Sequence, residues 1–126
     1  MIRRFEALHK KGIVHCDIKP ENILLGIGKF SHIVYLIDFG VSNFFILSNG
    51  EHIEFVKNVN LIGTVRYASL NSHKGLELTR RDDLIALGYL IHYIYNGFLP
   101  WQNDLDPKSE RCTAVLNKKI DFHNSI

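Results

Sequence analysis

The sequence predicts a single α+β domain that is mainly helical and carries one short β-hairpin. Apolar residues recur at helical spacing in two segments, and a capping pattern opens a third. Two short apolar runs, at residues 23–25 and 33–37, flank a turn that contains glycine. The 126 residues are enough for one domain, and a content of 46% hydrophobic and 22% charged residues is that of a globular protein. Disordered and collagen-like classes are therefore excluded.

The first helix is predicted at the start of the chain, where Ile2, Phe5 and Leu8 stand at three-residue intervals. Two lysines and then Gly12 follow, a composition typical of a helix C-terminus. No Ser, Thr, Asp or Asn precedes Ile2 as a cap, so we expect the first turns of this helix to be missing from the chain.

The hairpin is predicted to pair strands at Ile23–Leu25 and Ile33–Ile37 across residues 26–31, which include two glycines. Its glycines should not be mistaken for a nucleotide-binding loop, because they follow the candidate catalytic residues instead of opening the domain. The next stretch, from about residue 38 to residue 71, shows neither the helical nor the strand period. A loop of this length inside a compact domain is usually functional.

A second helix is predicted at about residues 80–96, with a capping-box pattern at Thr79 and Asp82 and a stop at Gly97. Gly88 in its middle would allow another backbone to approach closely. Five large apolar residues at helical spacing predict that this helix lies in the core. They are Leu84, Leu87, Leu90, Ile91 and Ile94.

A third helix is predicted to open at Asp106-Pro107, where a capping side chain precedes a proline at the first helical position. It should run through Val115 and Leu116 towards Lys118-Lys119. The sequence contains no internal repeat, low-complexity tract or linker.

The composition also bears on partners and compartment. A formal net charge of +2 with interspersed acids and bases gives no indication of nucleic-acid binding. No apolar run approaches the roughly 20 residues that span a bilayer, and no secretory signal is recognisable. We expect an intracellular protein of the cytoplasm, the nucleus or both, with Cys16 and Cys112 as free thiols; nothing in the sequence indicates an oligomeric state.

Candidate catalytic residues occur in two short segments, at residues 15–22 and 38–40. Phosphoryl transfer from a nucleotide needs oxygen ligands for magnesium, a cation on the moving phosphate and a carboxylate that orients the attacking hydroxyl. Asn22 and Asp38 could supply the metal ligands, Lys19 the cation and Asp17 the carboxylate. Gly40 would let the backbone turn sharply behind Asp38.

These segments resemble the protein kinases, whose catalytic loop of the form His-x-Asp-x-Lys-Pro-x-Asn precedes an Asp-Phe-Gly motif. The resemblance is strongest to the casein kinase 1 family, and Ser69-Leu70-Asn71 is similar to the Ser-Ile-Asn that this family carries where most kinases have Ala-Pro-Glu. It covers nearly the whole chain and fades after Gln102. The further matching segments are residues 26–29, 34–40, 60–69, 80–84, 88–89 and 97–102.

The resemblance implies that residues 1–126 are part of a kinase domain, most of its C-terminal lobe, with a catalytic loop at 15–22 and an activation segment at about 38–71. It implies a Ser/Thr kinase that uses ATP and Mg²⁺ on protein substrates. Asp17 would be the catalytic base, Lys19 the phosphate contact, and Asn22 and Asp38 the magnesium ligands. His15, Gly40, Thr64 and Asp83 would support the site structurally.

The resemblance also implies a site for acidic or phosphorylated segments of the substrate. Arg66 matches an anion-binding arginine, which would act with the backbone at Gly97 and with a later lysine. Lys108 is the candidate for that lysine, although a solvated residue in the first turn of a helix is the alternative that we favour for it.

Two features depart from the family pattern. Cys16 replaces the arginine that follows the catalytic-loop histidine, so activation through an activation-loop phosphate at that contact is not expected. We expect Cys16 to be a half-buried, inert thiol; the alternative is a redox-sensitive one. The chain also contains no glycine-rich loop and no strand lysine for ATP, so the N-terminal lobe is expected to be absent. A catalytically inactive lobe that acts as a binding or scaffold module is therefore the alternative function.

Overall fold

The computed structural model describes residues 1–57, 59–104 and 110–125, and this part of the chain is mainly helical with two small antiparallel sheets. None of the helices in these ranges is long and apolar enough to cross a membrane. The helices are α1 (Ile2–His9), α2 (Leu70–His73), α3 (Arg80–Asn96) and α4 (Glu110–Asn124). The strands are β1 (Ile13–Val14), β2 (Ile23–Leu25), β3 (Val34–Leu36) and β4 (Asn43–Phe44).

Strands β2 and β3 form the predicted hairpin, with Ile23 opposite Leu36 and Leu25 opposite Val34. The second strand is two residues shorter than predicted, and a 3₁₀ turn lies in the connection. A glycine is needed at residue 26, because a Cβ there would lie 2.2 Å from the carbonyl oxygen of Phe30. The hairpin thus sets the residues before β2 beside those after β3.

Strands β1 and β4 form a second sheet that the sequence did not predict, with Ile13 opposite Phe44. Each strand has only two residues, too few for a period to be recognised. β1 leads directly from the end of α1 into the residue 15–22 loop, and β4 lies inside the stretch that shows no period. This sheet therefore connects the candidate catalytic loop to the segment after Asp38-Phe39-Gly40.

Helix α3 begins and ends as predicted. The backbone N–H of Thr79 donates to Asp82 Oδ2 at 2.8 Å, which is the backward-reaching half of the capping box. At the other end Gly97 has φ +78° and its N–H donates to the carbonyl of Tyr93 at 2.8 Å. A left-handed residue at this position satisfies a terminal carbonyl and ends the helix.

The core lies along one face of α3, and this face includes only part of the apolar set that the sequence predicted. Leu87 and Leu90 are buried as expected, whereas Ile91 and Ile94 are 56% and 72% exposed in the described part of the chain. Leu84 is also exposed. A helix with large apolar residues on more than one side does not reveal which side the core covers. The buried residues of α3 are Asp82, Asp83, Ala86, Leu87, Tyr89 and Leu90.

An aromatic cluster joins α3 to α4. Trp101 is fully buried, and its ring lies 4.8 Å from that of Tyr89 and 5.6 Å from that of Phe122, both edge-to-face. Val115 of α4 belongs to the same core. The predicted start of this helix at Asp106-Pro107 lies outside the described residues.

Gly88 inside α3 and Gly97 directly after it provide a paired test of how the helix is packed and how it ends. Apart from the backbone of α3 itself and the two neighbouring residues, no described atom lies within 4 Å of a Cβ built at Gly88, so the predicted close backbone approach is not found there. We expect Gly88→Ala to raise the free energy of unfolding by about 1 kcal/mol, the difference in helix propensity. Gly97→Ala should lower it by roughly 1 kcal/mol, because its φ is left-handed. Urea titrations followed by circular dichroism measure both changes. A destabilising Gly88→Ala would contradict the open space beside Gly88.

Candidate active site

The loop between β1 and β2 places the Asp17 carboxylate among four donors. Its Oδ1 accepts from the backbone N–H and the hydroxyl of Thr64, at 2.8 and 2.7 Å. Its Oδ2 lies 2.7 Å from Lys19 Nζ and 3.3 Å from Asn22 Nδ2. The Thr64 hydroxyl in turn accepts from Lys19 Nζ at 3.2 Å. The structure thus brings together three of the residues that the resemblance assigns to catalysis, with Thr64 as their support.

These contacts determine the charges of the site. Burial raises the pKa of Asp17, but hydrogen bonds from Lys19 and Thr64 outweigh it, so the pKa lies below its usual value. The hydrogen bond to Asp17 raises the pKa of Lys19, against a smaller opposing effect of burial. At neutral pH the site therefore holds a carboxylate and an ammonium group side by side.

Asp83 of α3 holds the start of the same loop. This carboxylate is 2% exposed and accepts from the backbone N–H groups of His15 at 2.9 Å and of Cys16 at 3.0 Å. It also lies 2.9 Å from Nε2 of His9 on α1. A buried carboxylate with several donors is strongly held, so the loop is attached to both helices.

The neighbouring Asp82 holds the end of the aperiodic stretch. Its Oδ1 accepts from the Ser69 hydroxyl at 2.7 Å and from Nδ2 of Asn71 at 2.8 Å. Ser69 also caps α2, since its hydroxyl accepts from the N–H of Ser72 at 3.1 Å. The serine and the asparagine of the Ser69-Leu70-Asn71 motif are thus both hydrogen-bonded to α3.

His15 connects the loop to the Asp38-Phe39-Gly40 segment. It is fully buried, with Nε2 at 3.0 Å from the carbonyl oxygen of Ile37 and its ring 4.9 Å from that of Phe39. The structure therefore places it as a packed histidine beneath the loop.

Left-handed backbone occurs at two functional candidates, Cys16 with φ +68° and Asp38 with φ +61°. Such strain in non-glycine residues is typical of functional sites. Gly40 was expected to make the sharp turn, but the left-handed residue is Asp38 itself; Gly40 donates its N–H to Asp38 Oδ1 at 3.2 Å. Beside the loop a glycine is required at Gly63, where a Cβ would lie 2.4 Å from the Cys16 carbonyl oxygen.

Cys16 has the properties of an unreactive thiol. It is partly buried, and burial together with the charge of Asp83 raises its pKa to about 12. The thiolate that would react is therefore scarcely populated at neutral pH. The side chain of Cys112 lies outside the described part.

The hairpin sets Asn22 and Asp38 at one end of paired strands. The N–H of Ile37 donates to the carbonyl of Asn22 at 3.0 Å, so Asp38 follows directly on the residue paired with Asn22. Asn22 uses its amide nitrogen on Asp17 at 2.9 Å, which leaves its amide oxygen for another partner, and the Asp38 side chain is exposed. An amide oxygen and a carboxylate are donors that suit Mg²⁺.

Few protein ligands are available to a cation here. No group of three or more His, Cys, Asp and Glu side chains in the described residues is arranged to hold a metal ion. Magnesium is commonly bound by one or two protein ligands together with water and substrate phosphates. The donor set of Asn22 and Asp38 fits such a metal–nucleotide complex.

The residues implied in anion recognition are only partly described. The carbonyl oxygen of Arg66 accepts from Trp101 Nε1 at 2.8 Å, which brings its backbone against the segment that follows Gly97. Lys108 lies outside the described residues. The expectation for this site therefore remains a prediction.

Lys119 is the functional candidate that the sequence did not reveal. This lysine is fully buried, and its Nζ donates to the carbonyl oxygens of Val65 and Ala68, at 2.8 and 2.5 Å, and lies 3.1 Å from His73 Nε2. Its ammonium group also lies 5.1 and 5.2 Å from the ring centroids of Tyr89 and Trp101. Lys119 thus holds carbonyl oxygens before and after Arg66, and Trp101 holds the carbonyl oxygen of Arg66 itself. The available signal was its position four residues after the core residue Val115, which places both on one helix face.

One comparison with known proteins bears on this geometry. The family model described as the protein kinase domain matches residues 1–125 of the chain.

Removal of the Lys119 ammonium group should destabilise the fold. We expect Lys119→Met to lower the free energy of unfolding by about 3 kcal/mol, because buried carbonyls at residues 65 and 68 lose their donor at about 1–3 kcal/mol each. Lys29→Met, at an exposed lysine, is the control and should change it by less than about 0.5 kcal/mol. Chemical denaturation measures both, and equal effects would contradict a clamp at Lys119.

The stability should also depend on pH through His73. Burial and the Lys119 charge lower the pKa of His73 from 6.5 to about 4, so the unfolded chain takes up a proton on this histidine before the folded one does. This contribution to stability is complete above pH 6.5 and is lost as the pH falls towards 4. His73→Gln keeps an acceptor for Lys119 and does not titrate. Thermal melts between pH 7 and pH 4 should therefore show a shallower loss in this variant, and identical slopes would contradict the role of His73.

Proposed function

The chain belongs to the protein kinase family, and we propose that it provides the phosphate-transfer centre of a Ser/Thr kinase of casein kinase 1 type. The observation that carries this proposal is the Asp17 carboxylate, fixed by Thr64 through two hydrogen bonds and paired with Lys19 at 2.7 Å. Phosphoryl transfer is catalysed chiefly by positioning and electrostatics, which rigid contacts of this kind supply.

Asp17 orients the attacking hydroxyl of the protein substrate and accepts its proton. Thr64 fixes Oδ1 through two donors, and we assign the substrate hydroxyl to Oδ2, which lies on the side of Lys19 and Asn22. Lys19 places its positive charge beside the same oxygen, where the transferred phosphoryl group meets the hydroxyl. The lowered pKa of Asp17 keeps the carboxylate ionised, as a group that is to accept a proton must be.

Asn22 and Asp38 would hold Mg²⁺ through the Asn22 amide oxygen and the Asp38 carboxylate. When bound, the ion neutralises charge on the phosphates of ATP. The hairpin fixes the relation of these two residues through the Asn22–Ile37 backbone bond of 3.0 Å. Residues 1–126 contain no match to the glycine-rich loop or the strand lysine, so Lys19, Asn22 and Asp38 are the contacts to ATP and Mg²⁺ that we assign.

The assignment to the casein kinase 1 type rests on the motif residues and their contacts. Ser69 and Asn71 both hydrogen-bond to buried Asp82, which gives the Ser-x-Asn signature a physical role in anchoring α2 to α3. Thr64 bridges Asp17 and Lys19, the arrangement implied for Ser/Thr kinases. Preference for acidic or phosphorylated substrates rests on Arg66 and Gly97, with Lys108 as a further candidate.

The test is magnesium-dependent transfer of ³²P from γ-labelled ATP to an acidic Ser peptide, with Thr- and Tyr-containing versions of the same peptide in parallel. We expect Asp17→Asn and Asp38→Asn to lower the rate by at least about 100-fold. Glu21→Gln, an exposed carboxylate in the same loop, is the matched control and should retain the rate within about twofold.

Further arms of the assay separate the parts of the proposal. Faster transfer to a peptide with an acidic or phosphorylated segment, reduced towards the neutral peptide by Arg66→Ala, is expected for the casein kinase 1 type. Transfer that survives in Asp38→Asn would refute the catalytic assignment. Preference for the Tyr peptide would refute the Ser/Thr assignment while leaving phosphotransfer itself intact.

A further inference from the structure

A second groove contains none of the residues that the proposed reaction uses. It has a volume of about 710 Å³, within the usual range of ligand-binding clefts, and lies between the end of α1, the loop after β4 and the first residue of α3. Its lining includes Lys10, Lys11 and Arg80, and no aspartate or glutamate.

The positive charge of this groove is largely unneutralised. Within the described residues neither Lys11 nor Arg80 forms an ion pair, and the Arg80 guanidinium lies 4.9 Å from the ring centroid of Phe45. Lys10 contacts Glu6 at 2.7 Å, but both side chains are more than half exposed. An exposed pair of this kind contributes little and is readily exchanged for another anion.

Two large apolar side chains are presented beside these cations. Phe44 is 61% exposed and Leu47 is 46% exposed, whereas Phe45 between them is buried. The backbone beneath them is held, because the N–H of Phe45 donates to the carbonyl of Gly12 at 2.8 Å and its carbonyl accepts from Ile53 at 3.0 Å. The groove is therefore a preformed surface with cations and an apolar floor.

We propose that this groove docks a short acidic segment of a partner protein that carries two adjacent bulky apolar side chains between its acids. The partner's carboxylates would pair with Lys11 and Arg80, and its two apolar side chains would cover Phe44 and Leu47. Charge complementarity favours this occupant, because a lining with three cations and no acid attracts an acidic segment and repels a basic one. The proposal does not rest on the phosphotransfer reaction, because docking needs neither ATP nor Asp17.

Fluorescence anisotropy of a dye-labelled hexapeptide, Glu-Asp-Leu-Phe-Asp-Glu, titrated with the whole chain tests this inference without nucleotide. We expect saturable binding that weakens between 0.05 and 0.3 M salt, because surface charges are screened. Two control peptides separate the contributions. Gln-Asn-Leu-Phe-Asn-Gln lacks the charges and Glu-Asp-Ser-Ser-Asp-Glu lacks the apolar pair, and each should bind at least about tenfold more weakly.

Variants locate the site. Lys11→Glu, Arg80→Glu and Phe44→Ser should each weaken binding about tenfold, and all lie at exposed positions. Glutamate is compatible with the first residue of α3, because it lies at the positive end of the helix. Lys29→Glu and Phe30→Ser are the matched controls, since Lys29 also lies over an aromatic ring, at 5.1 Å, but on the β2–β3 hairpin.

The binding of the variants and of the control peptides decides whether the groove is the docking site. Loss of binding in the groove variants alone, with unchanged circular dichroism, supports the site. Wild-type binding by Lys11→Glu, equal loss in Lys29→Glu, or equal binding of the uncharged peptide would each overturn it. Sedimentation that shows a dimer dissociated by Lys11→Glu would assign the groove to a second copy of the chain and would also overturn it.

Discussion

Two adjacent buried carboxylates in the first turn of α3 are the constraint on which the site depends. Asp83 accepts the backbone N–H groups that open the catalytic loop, and Asp82 accepts the side chains that end the aperiodic stretch. Both lie at the positive end of a 17-residue helix, where negative charge is favoured. A single helix turn thus fixes two loops relative to each other, and Thr64 of one loop can meet Asp17 of the other at 2.7 Å.

The residues that could be predicted from sequence are those whose role follows from local spacing. The capping of α3, its glycine stop and the β2–β3 hairpin each depend on neighbouring residues, and all three are found. The grouping of Asp17, Lys19 and Asn22 was also foreseeable, because they lie in one loop of eight residues. The resemblance of short motifs predicted contacts that periodicity could not, since it linked this loop to the distant Thr64 and Asp83.

Contacts between distant segments could not be predicted in this way. Strands of two residues are too short to show a period, so β1 and β4 can each be recognised only by their pairing with the other. The apolar residues of α3 lie on several faces, and burial of Leu87 with exposure of Ile91 depends on which elements pack there. Lys119 lies in a basic pair towards which the predicted third helix ran, and a solvated side chain is the usual expectation there. It nevertheless donates to carbonyls 51 and 54 residues away.

The rigid support of Asp17 suits the role that we propose for this carboxylate. Hydrogen bonds that lower its pKa make the carboxylate a weak base, so it is poorly suited to removing a hydroxyl proton early in the reaction. In a loose phosphoryl-transfer transition state the nucleophile needs little activation, and correct placement matters more than basicity. Thr64, Lys19 and Asn22 all constrain where the carboxylate oxygens lie. Cys16, which replaces the family's arginine, donates its N–H to Asp83, and this bond orients the start of the loop without any phosphate. The geometry at Asp17 is therefore built from the fold's own buried contacts.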